Sequence, residues 1–168
     1  MNFYMDYQPH IPGVRKGGPL LSWDIFMDGY SNMLQLAEDR KALIKLAGEK
    51  KWKHSFNFRE QLFTLRKTVL VTDANQQIIY ASSGIFDMNG YRPEEVIGKK
   101  PSIFQGEYTS PHWRAQIRIS VEKQQPFEAT LLNYTKKGEV YNCHIKGYPV
   151  FNALHQLVNF IAFEKKAA

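Results

Sequence analysis

The last third of the chain carries the pattern that most constrains its fold. Residues 126–165 read PFEATLLNYTKKGEVYNCHIKGYPVFNALHQLVNFIAFEK, three runs rich in aromatic and branched residues, interrupted by TKKGE and FNALHQ. Short runs of this kind, joined by turn residues, are typical of antiparallel strands connected by hairpins. The sequence therefore predicts a three-stranded antiparallel sheet in this region.

The first of these hairpins predicts a pair of amides. With Lys137 and Gly138 at its tip, Asn133 would lie opposite Asn142. Directly opposed residues point to the same face of a sheet, so the two amides would stand side by side. Buried amides need hydrogen-bond partners, which leaves two interpretations open: the pair faces a ligand, or the amides bond each other or a buried water.

A second hairpin and several helix starts precede this region. Runs at 69–72 and 78–82 flank DANQ, whose Asp and Asn favour a turn. Pro93 fits the first turn of a short helix, and Ser110 with Pro111 fits the start of a longer one. The resulting order, ββααααβββ, predicts an α+β domain with a five-stranded antiparallel sheet, short helices and one longer helix.

The N-terminal part has a different character. Residues 1–20 contain six Pro or Gly residues, which predicts an extended arm, and residues 21–64 predict a helical extension. Ser22 is the expected N-cap and Gly48 the expected stop of its helix. The apolar stripe of this helix must be covered either by the main domain or by a second copy of the chain; it includes Trp23, Phe26, Tyr30, Met33 and Leu34.

The composition limits the classes of function. A chain of 168 residues with 43% hydrophobic residues suits one globular domain with an appendage. The absence of a long apolar run or a signal-peptide pattern predicts a cytoplasmic protein without a membrane partner. The lysines behind the net charge of +6 are scattered, so we expect a solvated basic surface rather than a nucleic-acid partner.

Catalytic and metal-binding patterns are missing from the sequence. No P-loop, HExxH motif or constellation of nucleophile, base and orienting residue occurs, so we expect no enzyme. The single cysteine, Cys143, excludes a disulfide framework and a cysteine zinc cage. Its neighbour His144 would point to the opposite face of a strand, so we predict no metal site.

The motifs resemble the PAS domain family over about residues 65–165. The stretches that carry the resemblance are VTDANQQIIYAS, MNGYRPEEVIGKKPSIFQG, LLNYTKKGEVYN and PVFNALHQLVNFIAFEK. Within the family, GKKPSIFQG at 98–106 is similar to Gly-x-Asn-Cys-Arg-Phe-Leu-Gln-Gly, the signature of the flavin-binding LOV (light-oxygen-voltage) group. The resemblance implies a PAS domain at 65–168 and a sensory role.

The resemblance also implies a set of site residues. The LOV signature places Pro101 on the photoreactive cysteine and Ser102 on one of two phosphate-binding arginines, the other being Arg118. The glutamine that reads the flavin and transmits the signal falls on Glu164. The ligand-binding set implied in this way, with Thr72 mapped to the same pocket, is Thr72, Gln105, Arg118, Asn133, Asn142 and Glu164.

The departures from the LOV pattern leave the cofactor unknown. Proline has no thiol, which excludes the usual LOV photochemistry. Cys143 is expected to face away from the pocket because its neighbour Asn142 is expected to face it. FMN is therefore an alternative, and haem is not expected because His112 falls at an exposed helix start.

We therefore expect a stand-alone sensory and signal-transduction module. It binds a small ligand or a protein partner, passes its signal to an unidentified signalling protein, and forms a homodimer through the N-terminal helix. The alternatives are a cysteine-less FMN-binding redox or light sensor and a ligand-free dimerisation module.

Overall fold

Residues 19–167 are described by the computed structural model, with side chains from residue 27 onward. The N-terminal elements are α1 (Pro19–Glu49) and a π-helical turn (Glu60–Thr64). The domain core then contains β1 (Thr68–Asp73), β2 (Ile78–Ala81), α2 (Gly84–Asn89), α3 (Pro93–Val96), a 3₁₀ turn (Pro101–Phe104), α4 (Pro111–Glu122), β3 (Phe127–Tyr134), β4 (Val140–Phe151) and β5 (Leu157–Lys166). No helix among these residues is long and apolar enough to cross a membrane.

The strands form one five-stranded sheet in the order β2-β1-β5-β4-β3, with antiparallel neighbours throughout. The strand β5 lies in the middle, so Glu164 has Thr68 of β1 on one side and Ile145 of β4 on the other. This confirms the predicted α+β fold with its five-stranded antiparallel sheet. The central position of β5 places a carboxyl side chain within the sheet.

Local sequence signals explain several of the boundaries. The Asp73 carboxylate accepts hydrogen bonds from the backbone N–H groups of Asn75 (2.9 Å) and Gln77 (2.8 Å), which closes the predicted turn between β1 and β2. The Ser110 hydroxyl accepts from the Trp113 N–H (3.4 Å) at the start of α4, as an N-cap does. The predicted turn and N-cap are both confirmed.

The beginning of α1 differs from the prediction. The helix starts at Pro19, so Ser22 lies inside it and is not the N-cap. Proline is well tolerated in a first helical turn because its missing N–H is not needed there. Of the predicted extended arm at 1–20, residues 1–18 lie outside the described part of the chain.

The described part of the chain divides into two units, with the boundary between Leu34 and Gln35. Within the second unit, the last part of α1 covers one face of the sheet. Leu36 and Leu43 are buried there together with Phe58 and Leu62 from the connector to β1. Their partners on the strands are Val69, Val71, Val150, Ile161 and Phe163.

The β3–β4 hairpin corrects the predicted register by one residue. Asn133 lies opposite Tyr141, and Asn142 lies opposite Leu132. The physical reason is a three-residue loop, closed by the Thr135 N–H to Glu139 O bond (2.8 Å), in which Gly138 adopts φ +86°. A one-residue shift reverses the faces, so the predicted amide pair is wrong and Asn142 is exposed.

The same shift corrects the prediction for the cysteine. Cys143 is buried and lies on the same face as Asn133, not on the opposite face as predicted.

Candidate functional site

A cavity of about 560 Å³ lies between one face of the sheet and the segment formed by the 3₁₀ turn and α4. Its volume falls within the range of small-molecule sites in proteins. Apolar side chains form most of its lining, including Leu70, Phe104, Ile117, Phe127, Leu131 and Phe160. A ligand in this cavity would need an apolar or aromatic body.

One side of the cavity carries buried polar groups, which we call the polar wall: Thr72 of β1, Asn133 of β3 and Glu164 of β5. Their exposed fractions are 7%, 3% and 4%. Within the described part of the chain, neither Thr72 Oγ1 nor Asn133 Oδ1 has a hydrogen-bond partner. Buried polar atoms in folded proteins are normally paired, so these two oxygens are suited to a ligand.

Behind the polar wall, further polar side chains fix its orientation. The Asn133 amide contacts both the Tyr141 hydroxyl and the Cys143 thiol. Cys143 Sγ in turn donates to Glu164 Oε2 (3.6 Å). Burial raises the pKa of the Cys143 thiol and of the Tyr141 hydroxyl above their usual values, so both groups are neutral near pH 7.

Glu164 has an unusual charge state for a carboxyl group. Burial raises its pKa to about 7, although the hydrogen bond from Cys143 favours the ionised form. Near neutral pH the carboxyl is therefore divided between its neutral and ionised forms. A ligand contact that favours one form would change the protonation of this group.

The open side of the cavity carries positive charge. Lys100, Arg114 and Arg118 are exposed lining residues, and we call them the cationic rim. Arg114 and Arg118 are four residues apart on α4, so their side chains lie on the same helical face. Arginine binds carboxylate and phosphate groups through paired hydrogen bonds, so the rim is suited to an anionic part of a ligand.

The loop after the 3₁₀ turn holds Gln105 against the cavity. The Thr109 hydroxyl donates to the Leu132 carbonyl (2.6 Å) and accepts from the Gly106 N–H (3.0 Å). A Cβ atom on Gly106 would lie 2.5 Å from the Tyr134 ring, so the glycine lets the loop approach β3. This close approach explains the glycine at position 106.

The structure brings together five of the six side chains predicted for the ligand site. Thr72, Gln105, Arg118, Asn133 and Glu164 line one cavity. The sixth, Asn142, is exposed because of the hairpin register.

Two further side chains of the cavity lie outside the predicted ligand-binding set. Lys100 and Arg114 line it but were not in the predicted set. The four-residue spacing of the two arginines was the available signal. Pro101 also lines the cavity, where it offers no reactive group.

The fold is that of a known family. The PAS domain family matches residues 66–165, and the chain therefore belongs to it. Phototropin-2 of Oryza sativa subsp. japonica is 34% identical over 113 residues, which are 66% of this chain and 12% of that protein. Protein TWIN LOV 1 of Arabidopsis thaliana is 32% identical over 110 residues, covering 63% of this chain and 28% of that protein.

Solved structures of LOV domains share the fold. The dark structure of the Aureochrome1 LOV domain superimposes with a TM-score of 0.62 at 23% identity, covering 69% of this chain and 86% of that one. The LOV domain of a blue-light-activated histidine kinase from Erythrobacter litoralis gives 0.58 at 22% identity, covering 61% and 96%. The chain is thus a PAS domain with the fold of these LOV domains, and it spans a small part of the length of its plant relatives.

The residues present fit one end of FMN and not the other. The cationic rim suits a phosphate group. The pyrimidine edge of a flavin presents two carbonyl oxygens around one N–H and needs two hydrogen-bond donors, whereas an ionised Glu164 in the polar wall only accepts. The second amide expected there, Asn142, is exposed on the other face of the sheet.

Proposed function

We propose that this PAS domain is a sensory module that binds a small molecule in the cavity and signals through protein contacts. The observation that carries the proposal is the pair of buried, unpartnered oxygens, Thr72 Oγ1 and Asn133 Oδ1, beside an apolar cavity of about 560 Å³. A ligand that bonds these atoms removes the cost of leaving them unpaired, which is about 1–3 kcal/mol for each group. The proposed role includes no catalytic step.

A chain of hydrogen bonds supports a route from the cavity to the N-terminal segment. The Thr72 carbonyl accepts from Asn159 Nδ2 (2.9 Å), and Asn159 Oδ1 accepts from Trp52 Nε1 (2.9 Å). Asn159 is fully buried, and Trp52 follows α1 directly in the chain. A ligand that shifts Thr72 would therefore alter the contacts of Trp52, and a change of population between two arrangements would carry the signal.

The exposed face of α1 supports homodimerisation through this helix. Met27, Tyr30, Met33 and Leu34 each keep about half of their surface exposed. Apolar side chains that recur at helical spacing are suited to packing against a second helix. In the proposed module, the homodimer passes the signal to an unidentified signalling protein in the cytoplasm.

Mass spectrometry of the purified 168-residue chain tests the ligand proposal. The protein is measured first under native conditions and then after denaturation, and an absorption spectrum is recorded on the same preparation. We expect a small molecule that is bound in the native protein and released on denaturation. A native mass equal to that of the bare chain, together with no thermal stabilisation by any member of a metabolite library, would contradict the proposal and favour the ligand-free dimerisation module.

A further inference from the structure

The chemistry of the polar wall restricts the ligand further, and this inference rests on the proposed ligand-binding function. The Thr72 hydroxyl can donate or accept a hydrogen bond, so the balance of donors and acceptors in the polar wall depends on the other two residues. The Asn133 amide contacts Tyr141 and Cys143, while its Oδ1 has no partner among the described residues. An ionised Glu164 accepts hydrogen bonds and donates none.

The position of Glu164 makes this excess of acceptors difficult to relieve within the protein. The side chain is buried in the central strand, and the donor bonded to its Oε2 is the thiol of Cys143, a weak donor. A carboxylate binds most strongly to two adjacent N–H groups, which pair with its two oxygens. A ligand with such a pair would satisfy the carboxylate much better than the thiol does.

The remaining walls define the rest of the ligand. Phe104, Phe127 and Phe160 line the cavity and favour an aromatic body. The cationic rim lies on the open side and favours an anionic group at the opposite end of the ligand.

We propose that the cavity selects a heteroaromatic small molecule that presents adjacent N–H donors to the Glu164 carboxylate and an anionic group to the cationic rim. Amino-substituted heterocycles of the 2-aminopyrimidinone type have this donor pair. Replacement of the ring amino group by a carbonyl oxygen converts the pair into a donor and an acceptor, and this acceptor would face the carboxylate. Glu164 is then the residue that determines specificity between the two kinds of ring.

A matched pair of fluorescent probes tests the selection. Pterin-6-carboxylate and lumazine-6-carboxylate differ by an amino group in place of a carbonyl oxygen at one ring position, and both carry an anionic group. Fluorescence titration of the ligand-stripped 168-residue chain at pH 8 is expected to show roughly tenfold or greater preference for the pterin, because the lumazine would leave the buried carboxylate facing an acceptor. Equal affinities, or a preference for the lumazine, would overturn the proposal.

Two variants separate the roles of the wall and the rim. Glu164→Gln supplies an amide donor, so the preference for the pterin should fall to near unity or reverse. Arg114→Gln should weaken both probes to the same extent and leave their ratio unchanged, because both carry the same anionic group. An unchanged probe ratio in Glu164→Gln would also contradict the proposal.

A third probe, FMN, tests the proposed class of ligand separately from the proposed sensory function. FMN carries the anionic group and the carbonyl edge, so it should bind more weakly than the pterin probe. Tight binding of FMN, or failure of both pteridine probes to bind while mass spectrometry finds another ligand, would overturn the inference and leave the sensory function standing. A bare native chain that binds no probe would contradict both.

Discussion

Glu164 shows how the position of a single residue sets its charge. The carboxyl lies in the central strand between Thr68 and Ile145, and burial raises its pKa from 4.5 to about 7. In the unfolded chain the same group titrates near its ordinary value. Between these two pKa values the folded protein binds more protons than the unfolded chain, so stability falls as the pH rises.

We therefore predict a pH-dependent stability that Glu164→Gln removes. The wild-type free energy of unfolding should fall by on the order of 3 kcal/mol between pH 4.5 and pH 8 through this group alone. The neighbouring Cys143 and Tyr141 remain neutral over this range because burial raises their pKa values. Urea unfolding of both proteins at several pH values measures the difference.

The matched control is Glu107→Gln, because Glu107 is an exposed carboxyl in the loop after the 3₁₀ turn. Its pH profile should follow that of the wild type. If Glu164→Gln also followed the wild-type profile, the assignment of this slope to Glu164 would be wrong.

The hairpin register predicts different outcomes for two asparagines. Asn133→Ala removes a wall residue and should weaken ligand binding by roughly tenfold, because one buried hydrogen bond is lost. Asn142→Ala changes an exposed side chain on the other face and should leave the affinity unchanged. Isothermal titration with the co-purified ligand or the pterin probe measures both. Equal losses in the two variants would support the register predicted from sequence.

These asparagines also show what the sequence could not determine. The residue types of both strands were clear, and the polar character of the site followed from Asn133, Gln105 and Glu164. The loop TKKG suits either two or three residues at the tip, and the hydrogen bond from the Thr135 N–H to the Glu139 carbonyl identifies the three-residue form. A difference of one residue in the loop decides whether Asn142 or Cys143 faces inward.

At the scale of elements, Asp39 fixes the last part of α1 to the core. Its carboxylate accepts from the Tyr80 hydroxyl (2.7 Å), the Ser83 N–H (2.9 Å) and the Ser83 hydroxyl (2.6 Å). Burial raises the pKa of Tyr80 above its usual value, with a further contribution from Asp39, so the hydroxyl keeps its proton and donates. The helix is therefore joined to β2 and to the start of α2 by directional bonds.

Asp39→Ala is expected to destabilise the domain by about 2–4 kcal/mol, since it leaves donors of Tyr80 and Ser83 unpaired. Glu38→Ala, at the exposed neighbouring position, should change stability by less than about 0.5 kcal/mol. Chemical unfolding followed by tryptophan fluorescence measures both. Similar effects of the two substitutions would show that these bonds do not stabilise the domain.

Leu43 and Ile44 test the packing of the same helix. Leu43 is fully buried against the sheet, whereas Ile44 is 48% exposed. Leu43→Ala should cost about 2–5 kcal/mol because it leaves a cavity in the core, and Ile44→Ala should cost about 0.5 kcal/mol or less. Thermal unfolding of the two variants gives the comparison, and a larger effect at Ile44 would contradict the described packing.

The sequence identified α1 as a helix. It did not show which part of the helix packs against the core and which part stays exposed. Its apolar stripe runs continuously from Met27 to Leu43, and periodicity alone does not show which positions meet the core. The division depends on tertiary partners such as Tyr80 and Ser83, which lie more than 40 residues further along the chain. Periodicity reports local structure and not the identity of a distant partner.

At the scale of the whole molecule, the exposed part of α1 predicts the oligomeric state. If this face joins two copies, Tyr30→Lys combined with Met33→Lys should convert a dimer into a monomer, because two charges would be buried in an apolar contact. Light scattering coupled to size exclusion measures the mass. Glu38→Lys, also on α1 and exposed, is the control and should remain a dimer. A monomeric wild type, or an unchanged mass in the double variant, would contradict this interface.

The buried thiol of Cys143 can be used to measure how often this part of the domain opens. It is the only cysteine in the sequence, and it lies behind Glu164 with no exposed surface. A thiol reagent can therefore modify the chain only when this part of the domain opens, and the rate of modification measures how often it does so. Any compound that occupies the cavity should slow this reaction, so the ligand can be sought by chemical kinetics without knowing its colour or structure.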